Sequence, residues 1–245
     1  MRTEKVDADK RHIVAMGGAF GYDTPASAIF LRYILRLTGK RKPKIMFVGT
    51  ASGDNEYGPL WFHRQLSGLN CERTEMRFFE PVTSDLNSLL LSQDAIFVGG
   101  GNTKSMLAVW REYGFDKALK NAWEHGVVLS GASAGAMCWF NKAISLTAYS
   151  DQPSVLNGLE LATGSCCPHY DSDPQRRPTF HRLLARGPAT AGYGIDEHAA
   201  LHVIGASTVQ SLAGASGAAC YLVYMRDGKP TEDKLPTKLL KSRAR

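Results

Sequence analysis

The sequence predicts a three-layer α/β sandwich with a mostly parallel β-sheet. Short apolar runs alternate along the chain with segments in which apolar residues recur at helical spacing. This alternation is typical of a parallel sheet that helices cover on both faces. Glycine-rich turns also follow several of the apolar runs, and α/β proteins place their functional groups at the carboxyl ends of such strands.

The first half of the chain follows this alternation closely. Residues 12–16 read HIVAM and form a candidate first strand. Thr24 and Pro25 are typical of a helix start, and Gly39 is typical of a helix end. Further strands are predicted at residues 44–48, 72–78, 95–98 and 127–129, and further helices at 61–69, 86–91 and 107–119.

The second half of the chain is less regular. Strands are predicted at residues 156–161 and 219–225, with a helical face formed by Phe180, Leu183 and Leu184. Residues 193–204 predict a strand or a hairpin that Asp196, Glu197 and His198 interrupt.

No repeat, linker or change of composition precedes residue 226, so the sequence predicts one domain over residues 1–225. Residues 226–245 contain seven Lys/Arg and three Asp/Glu, and they predict a solvated basic tail. Most of the net charge of +6 comes from this tail. The rest of the chain is close to neutral, which does not indicate a nucleic-acid partner.

The bulk composition is that of a globular protein, with 44% hydrophobic and 21% charged residues. No apolar run approaches the ~20 residues of a membrane span. Residues 1–11 are charged throughout and lack the apolar segment of a secretory signal, so we expect a cytoplasmic protein without a membrane partner. The sequence leaves the oligomeric state open, and a homodimer is among the states that it permits.

The chain contains five cysteines, which is an odd number, and no C-x-x-C pair. This pattern favours reduced, buried thiols over a disulfide framework or a zinc site. The sequence therefore predicts no metal site, and nothing in it implies a cofactor.

The main candidate for chemistry is Ser133. Residues 127–139 read VVLSGASAGAMCW, in which an apolar strand leads into the pattern G-x-S-x-G and then into a helix. A serine in such a tight strand-to-helix turn exposes its hydroxyl above the carboxyl end of the sheet. The sequence therefore predicts an acyl-transfer nucleophile at Ser133.

A second glycine-rich element follows the strand at residues 95–98. The sequence Gly99 to Thr103 reads GGGNT and lacks the spacing of a dinucleotide or P-loop motif. We expect it to contribute to an oxyanion hole, in which backbone N–H groups of Gly100, Gly101 and Ala134 stabilise the negative oxygen of a tetrahedral intermediate.

A nucleophilic serine needs a base, and the base needs a carboxylate that fixes its tautomer. Among the seven histidines, His169 follows a proline on a predicted loop and is the favoured base. Asp151, in the loop after the Ser133 helix, is the favoured acid. Three other carboxylates compete for that role: Asp171, Asp196 and Glu197.

Four motifs resemble those of the peptidase E and cyanophycinase serine peptidases (the S51 type). They are GGGNT at residues 99–103, SGASAGAMCWF at 130–140, CPHYD at 167–171 and GIDEHAAL at 194–201. The resemblance covers about residues 13–205. It implies a flavodoxin-like fold similar to that of class I glutamine amidotransferases, with serine at the position where those enzymes have cysteine.

The resemblance also implies roles for individual residues. Ser133 would be the nucleophile, His169 the base, and the GGGN loop part of the oxyanion hole and the substrate pocket. The family places an Asp or Glu between nucleophile and histidine, and Asp151 is the only Asp in that interval. The stretch around it does not match the family pattern cleanly.

The expected activity is that of a serine-type peptidase on short peptides. Peptidase E cleaves dipeptides that begin with aspartate, and it has arginine after its catalytic histidine. By this similarity Arg176 or Arg177 would bind an acidic side chain, since a guanidinium binds carboxylate with two parallel hydrogen bonds. Asn102 would hold the free amino end of the peptide.

Two other functions are compatible with the sequence. An α/β-hydrolase-type esterase shares the order Ser…Asp…His, but His169 follows Ser133 by only 36 residues. The other is a catalytically silent, amidotransferase-like binding protein. Covalent labelling of Ser133 by a fluorophosphonate would separate both enzymes from the silent protein.

Overall fold

The chain forms two β-sheets with seven α-helices in the described part, which is residues 4–18, 24–80, 83–149 and 151–241 of the computed structural model. The strands are β1 (His12–Met16), β2 (Lys44–Val48), β3 (Glu72–Met76), β4 (Ala95–Val98), β5 (Val128–Ala132), β6 (Phe140–Ser145), β7 (Ser154–Asn157), β8 (Ala162–Cys167), β9 (Gly192–Ile195), β10 (Ala199–Ile204), β11 (Thr208–Ala213), β12 (Cys220–Arg226), β13 (Lys229–Lys234) and β14 (Thr237–Leu239). The helices are α1 (Pro25–Leu37), α2 (Tyr57–Gln65), α3 (Leu86–Leu91), α4 (Thr103–Tyr113), α5 (Phe115–Glu124), α6 (Ala134–Met137) and α7 (Arg176–Ala185).

The first sheet has eight strands in the order β14-β11-β10-β1-β5-β4-β2-β3. The five strands from β1 to β3 in this order are parallel, and β10 and β11 extend the sheet in antiparallel pairing. This arrangement confirms the mixed α/β architecture that the sequence predicts. The carboxyl ends of β1, β5 and β4 lie side by side as a consequence.

The first sheet is buried on both faces. Val14 and Met16 of β1 pack with α1 and α2 in one apolar core, and Ile13 and Ala15 pack with α3, α4 and α5 in another. Successive residues of a strand point to opposite faces, so a strand in the middle layer has to be apolar at every position. This explains the uninterrupted apolar runs of the sequence.

The helices begin and end where the local chemistry requires. The Thr24 side chain accepts a hydrogen bond from the Ser27 N–H and caps α1, which has Pro25 in its first turn. One predicted helix is divided into α4 and α5 at Gly114, which has the left-handed φ of 67°. Glycine adopts this conformation at little cost, so the chain can end one helix and begin another at this residue. The prediction of a single helix there was wrong.

The second sheet has six strands in the order β13-β12-β9-β8-β6-β7 and was not predicted as a separate layer. Residues 193–204, predicted as one strand or hairpin, contribute β9 to this sheet and β10 to the first sheet. The interruption at Asp196–His198 is therefore the point where the chain crosses between sheets. The predicted strand at 156–161 is replaced by β7 and β8.

The prediction that residues 226–245 form a solvated tail was wrong for most of that segment. Strand β13 pairs antiparallel with β12 along its whole length, and β14 pairs parallel with β11. Leu240 then packs into the core beside α1. Most of the charged residues between 226 and 241 are exposed, with Glu232 as an exception, which is why the composition of the segment resembles that of a tail.

We expect a chain that ends after Met225 to be much less stable than the full chain. It would lose β13, β14 and the buried side chain of Leu240, and a loss of about 3 kcal/mol or more is the scale for such a change. Urea unfolding of the two proteins measures the difference. A chain that ends after Lys241 is the control, and equal unfolding midpoints for all three proteins would contradict this assignment.

Candidate active site

Ser133 occupies a strained turn between β5 and α6. Its backbone has φ 57° and ψ −112°, a conformation that is rare for a residue with a side chain. Its N–H donates to the Met16 carbonyl at 3.1 Å. A Cβ atom on Gly135 would lie 2.1 Å from the Val98 carbonyl oxygen. The glycine of the motif is therefore required for the turn to pack against β4.

The glycine loop after β4 lies directly against the Ser133 turn. Its flanking amides fix it from both sides, since Gly99 N–H donates to the Val48 carbonyl at 3.0 Å and Asn102 N–H to the Ala51 carbonyl at 2.8 Å. A Cβ atom on Gly100 would lie 3.2 Å from the Ser133 Cβ. The structure thus brings the backbone of Gly100 next to Ser133, beside the first residue of α6.

His169 joins Ser133 from the second sheet. It follows β8 on a short loop, and its Nε2 lies 2.9 Å from the Ser133 Oγ. Its backbone also has a positive φ, of 54°, and its N–H donates to the Gly17 carbonyl at 3.1 Å. The predicted placement of His169 on a loop facing the serine is the one observed.

Glu197 is the carboxylate that contacts His169. Its Oε2 lies 2.7 Å from the His169 Nδ1. The same oxygen accepts a hydrogen bond from the Ser172 Oγ at 2.9 Å, and the Glu197 N–H donates to Asp171 at 2.8 Å. A Cβ atom on Gly18 would overlap the Glu197 carboxylate. Two hydrogen bonds to the carboxylate, one to the backbone and the close approach of Gly18 therefore hold Glu197 in place.

The choice of Asp151 as the acid was wrong. Asp151 is exposed in the loop between β6 and β7, while Glu197 occupies the position beside His169. Asp171 supports the Glu197 backbone instead of the histidine. Glu197 had a usable signal, because it lies in the motif GIDEHAAL and comes two residues after the end of β9. Ser172 and Gly18 had no comparable signal and were missed.

Asn102 has a structural role. Its Oδ1 accepts from the Ser105 N–H and caps α4, and its Nδ2 donates to the Thr147 carbonyl at 3.0 Å. The side chain joins the glycine loop to the loop after β6. The expected contact of Asn102 with the amino end of a substrate is therefore not supported.

Neither Arg176 nor Arg177, at the start of α7, is available as predicted. Arg176 is buried, with Nη1 donating to the Ile144 carbonyl at 3.2 Å and Nε bonded to Asp173. Arg177 forms an ion pair with Glu232 of β13. Both guanidinium groups are engaged within the fold, which removes the basis for an acidic-substrate preference at these two positions.

The cysteines are poor alternatives to Ser133 as nucleophiles. All five are free and buried. Burial raises the pKa of Cys138, the cysteine nearest to Ser133 in sequence, well above the usual value. The thiolate is the reactive form, so the Cys138 thiol is expected to be unreactive and to serve in packing.

In residues 4–18, 24–80, 83–149 and 151–241, no three His, Cys, Asp or Glu side chains converge as a metal ion would require.

The described helices include none with the length and apolar character needed to cross a bilayer.

The fold and the site together define an α/β protein with a serine held in a strand-to-helix turn against a histidine and a glutamate. The model of peptidase family S51 matches residues 13–211 of the chain, and the protein belongs to this family. The uncharacterized peptidase YgaJ of Bacillus subtilis (strain 168) is 38% identical over 230 residues, covering 94% of this chain and 99% of that protein. The uncharacterized peptidase Lmo0363 of Listeria monocytogenes is 25% identical over 198 residues, covering 74% and 90%.

Two solved structures have the same fold. A peptidase from an acI-B1 actinobacterium superposes with a TM-score of 0.71 at 18% identity, covering 92% of this chain and 94% of that chain. A peptidase E-type protein from Listeria monocytogenes EGD-e superposes with a TM-score of 0.64 at 18% identity, covering 84% and 99%. The predicted flavodoxin-like fold and the predicted family are confirmed.

Asp196, next to Glu197, gives a prediction for the pH dependence of stability. Burial, and then the neighbouring Asp171, raise its pKa from 3.8 to about 6. The protonated form therefore favours the fold, and this contribution is present below pH 3.8 and is lost as the pH rises through about 6. At about 1.4 kcal/mol per pKa unit, the loss amounts to about 3 kcal/mol.

We expect the free energy of unfolding to fall less between pH 4 and pH 7 in Asp196→Asn than in the native protein. Urea unfolding at both pH values measures the two slopes. Asp151→Asn, in which an exposed carboxylate is removed, should keep the native slope. Identical slopes in all three proteins would contradict the assignment.

Proposed function

We propose that this protein is a serine peptidase that hydrolyses short peptides through an acyl-enzyme on Ser133. The observation that carries the proposal is the chain of contacts from Ser133 Oγ to His169 Nε2 at 2.9 Å and from His169 Nδ1 to Glu197 at 2.7 Å. A nucleophile, a base and an orienting acid in this geometry are the parts that acyl transfer requires.

In the proposed reaction Ser133 Oγ attacks the carbonyl carbon of the scissile peptide bond, and His169 Nε2 takes the serine proton. For Nε2 to accept this proton, the neutral ring has to carry its own proton on Nδ1, where Glu197 accepts it. The imidazolium then donates its Nε2 proton to the leaving amine. A water molecule, deprotonated by the same nitrogen, releases the acyl group and restores the serine.

The negative oxygen of the tetrahedral intermediate would be stabilised by backbone N–H groups. Those of Gly100 and Gly101 belong to the loop that lies against Ser133, and that of Ala134 begins α6. Donors of this kind are fixed by the fold before the substrate binds, so they do not have to reorganise as charge develops.

Short substrates are favoured by the way in which loops surround the site. Thr147, in the loop after β6, donates through Oγ1 to the Gly101 carbonyl at 3.3 Å and accepts from the Asn102 side chain. Gly18 packs against Glu197 on another side. Loops that pack against the glycine loop and the Glu197 carboxylate in this way would leave room for a short peptide more readily than for the middle of a long chain.

A preference for an acidic N-terminal residue is not proposed, because Arg176 is bonded to the Ile144 carbonyl and Arg177 to Glu232.

The five free, buried cysteines support a reducing compartment such as the cytoplasm for this activity.

The activity can be tested with a library of dipeptides and tripeptides and with a fluorophosphonate label. We expect Ser133→Ala to lose about 10³-fold or more in kcat and all labelling, because alanine fits the turn and lacks only the hydroxyl. No hydrolysis and no labelling in the native protein would favour the silent binding protein. Ester cleavage without peptide cleavage would favour the esterase.

The identity of the acid can be tested separately. We expect Glu197→Gln to lower kcat by about 10²-fold or more, because the amide keeps the shape of the side chain but neither fixes the required tautomer nor stabilises the imidazolium. Asp151→Asn is the matched control and should retain the native kcat. The reverse ranking of the two variants would restore Asp151 as the acid.

A further inference from the structure

Four polar side chains from three parts of the chain meet behind His169. The Tyr170 hydroxyl donates to Glu232 Oε2 at 2.6 Å. His181 Nε2 lies 3.2 Å from the same oxygen, and Arg177 pairs with the other oxygen of Glu232. The Arg177 guanidinium also lies over the ring of Tyr170, 4.6 Å from its centroid. We name Tyr170, Arg177, His181 and Glu232 the Glu232 cluster.

The Glu232 cluster connects two regions that the sequence separates by about sixty residues. Tyr170 directly follows His169 in the loop after β8, and Arg177 and His181 lie on α7. Glu232 lies on β13, opposite Val223 of β12, in the hairpin that was predicted as a tail. This hairpin lies beyond residues 13–211, which the family model matches.

Tyr170 is fixed at three points. Its N–H donates to the Ile195 carbonyl at 3.1 Å. Its ring lies against the backbone of Gly194, where a Cβ atom would come within 2.5 Å of a ring carbon. Its hydroxyl donates to Glu232 Oε2 at 2.6 Å and lies 3.3 Å from His181 Nε2, and the residue is only 2% exposed. Burying this hydroxyl requires such partners, and the charged Glu232 is the nearer of the two, so its contact contributes to holding the ring in place.

The residue before Tyr170 needs such an anchor. His169 has a φ of 54°, which is an unfavourable backbone conformation for a residue with a side chain. The surrounding contacts have to maintain this backbone for Nε2 to stay within hydrogen-bond distance of Ser133. On the N-terminal side the Gly17 carbonyl accepts from His169, and on the C-terminal side Tyr170 provides the fixed point.

We propose that Glu232 is a positioning residue for His169, which it holds against Ser133 through the side chain of Tyr170. This inference rests on the proposed function, because the effect on turnover presupposes that His169 is the base. The C-terminal hairpin is then part of the machinery that maintains the active site, although Glu232 itself touches none of the reacting groups.

The test compares four variants for peptide hydrolysis. Tyr170→Phe, which keeps the ring on Gly194, and Glu232→Ala are each expected to lower kcat by about tenfold with KM nearly unchanged. Glu232→Gln keeps an acceptor for the Tyr170 hydroxyl and should therefore retain most of the native kcat. Asp233→Ala is the matched control on the same strand, where the carboxylate bonds Tyr224 and Arg226 at the surface.

A second measurement is independent of activity. Hydrogen–deuterium exchange of residues 168–172 should be faster in Tyr170→Phe and Glu232→Ala than in the native protein and in Asp233→Ala. If the native protein neither hydrolyses peptides nor is labelled at Ser133, the proposed function fails, and the exchange rates still test the anchoring of the loop.

The proposal would be overturned by native exchange rates in both Tyr170→Phe and Glu232→Ala, or by a kcat in these variants equal to that of Asp233→Ala. A change confined to KM would also overturn it, because it would place the cluster in substrate binding. Should Glu232→Ala fail to fold, Tyr170→Phe and Glu232→Gln carry the same comparison.

Discussion

The site depends on two strained backbone conformations that face each other. Ser133 and His169 both have positive φ values, 57° and 54°, and their side chains are joined by a hydrogen bond of 2.9 Å. Conformations of this kind persist only where the surrounding structure determines them. For Ser133 the determinant is the contact of Gly135 with the Val98 carbonyl. For His169 it is a set of backbone hydrogen bonds that reach into both sheets.

The two sheets supply different parts of the site. Ser133 and the glycine loop follow strands of the first sheet, and His169 follows β8 of the second. Glu197 lies in the turn that connects β9 of the second sheet to β10 of the first, so its position depends on both sheets. The distance from His169 to Ser133 therefore depends on how one sheet packs on the other.

The Arg176–Arg177 pair at the start of α7 shows how a residue type can mislead. An Arg-Arg pair a few residues after a candidate base suggests a binding site for an acidic group. In the structure, Arg176 is buried against the Ile144 carbonyl and Arg177 is bound by Glu232. Arginine suits both roles because its planar guanidinium presents several N–H donors, which bind the oxygen atoms of a substrate and of the protein equally well. Only the position of those oxygens distinguishes a substrate site from a structural one.

The sequence by itself determined the features that depend on neighbours along the chain. The parallel core follows from uninterrupted apolar runs, and the Ser133 turn follows from small residues that are adjacent in sequence. His169 could be selected because its local motif places it on a loop. Each of these depends on backbone geometry over a few residues, which the residue types restrict strongly.

The tertiary structure alone decided the features that depend on distant contacts. The selection of Glu197 over Asp151 depends on the crossing from one sheet to the other, and the position of β13 depends on pairing with β12. The local sequence around a charged residue is the same whether its side chain is solvated or bonded to a partner far away in the sequence. Its role is set by the three-dimensional position of that partner, which local propensity does not encode.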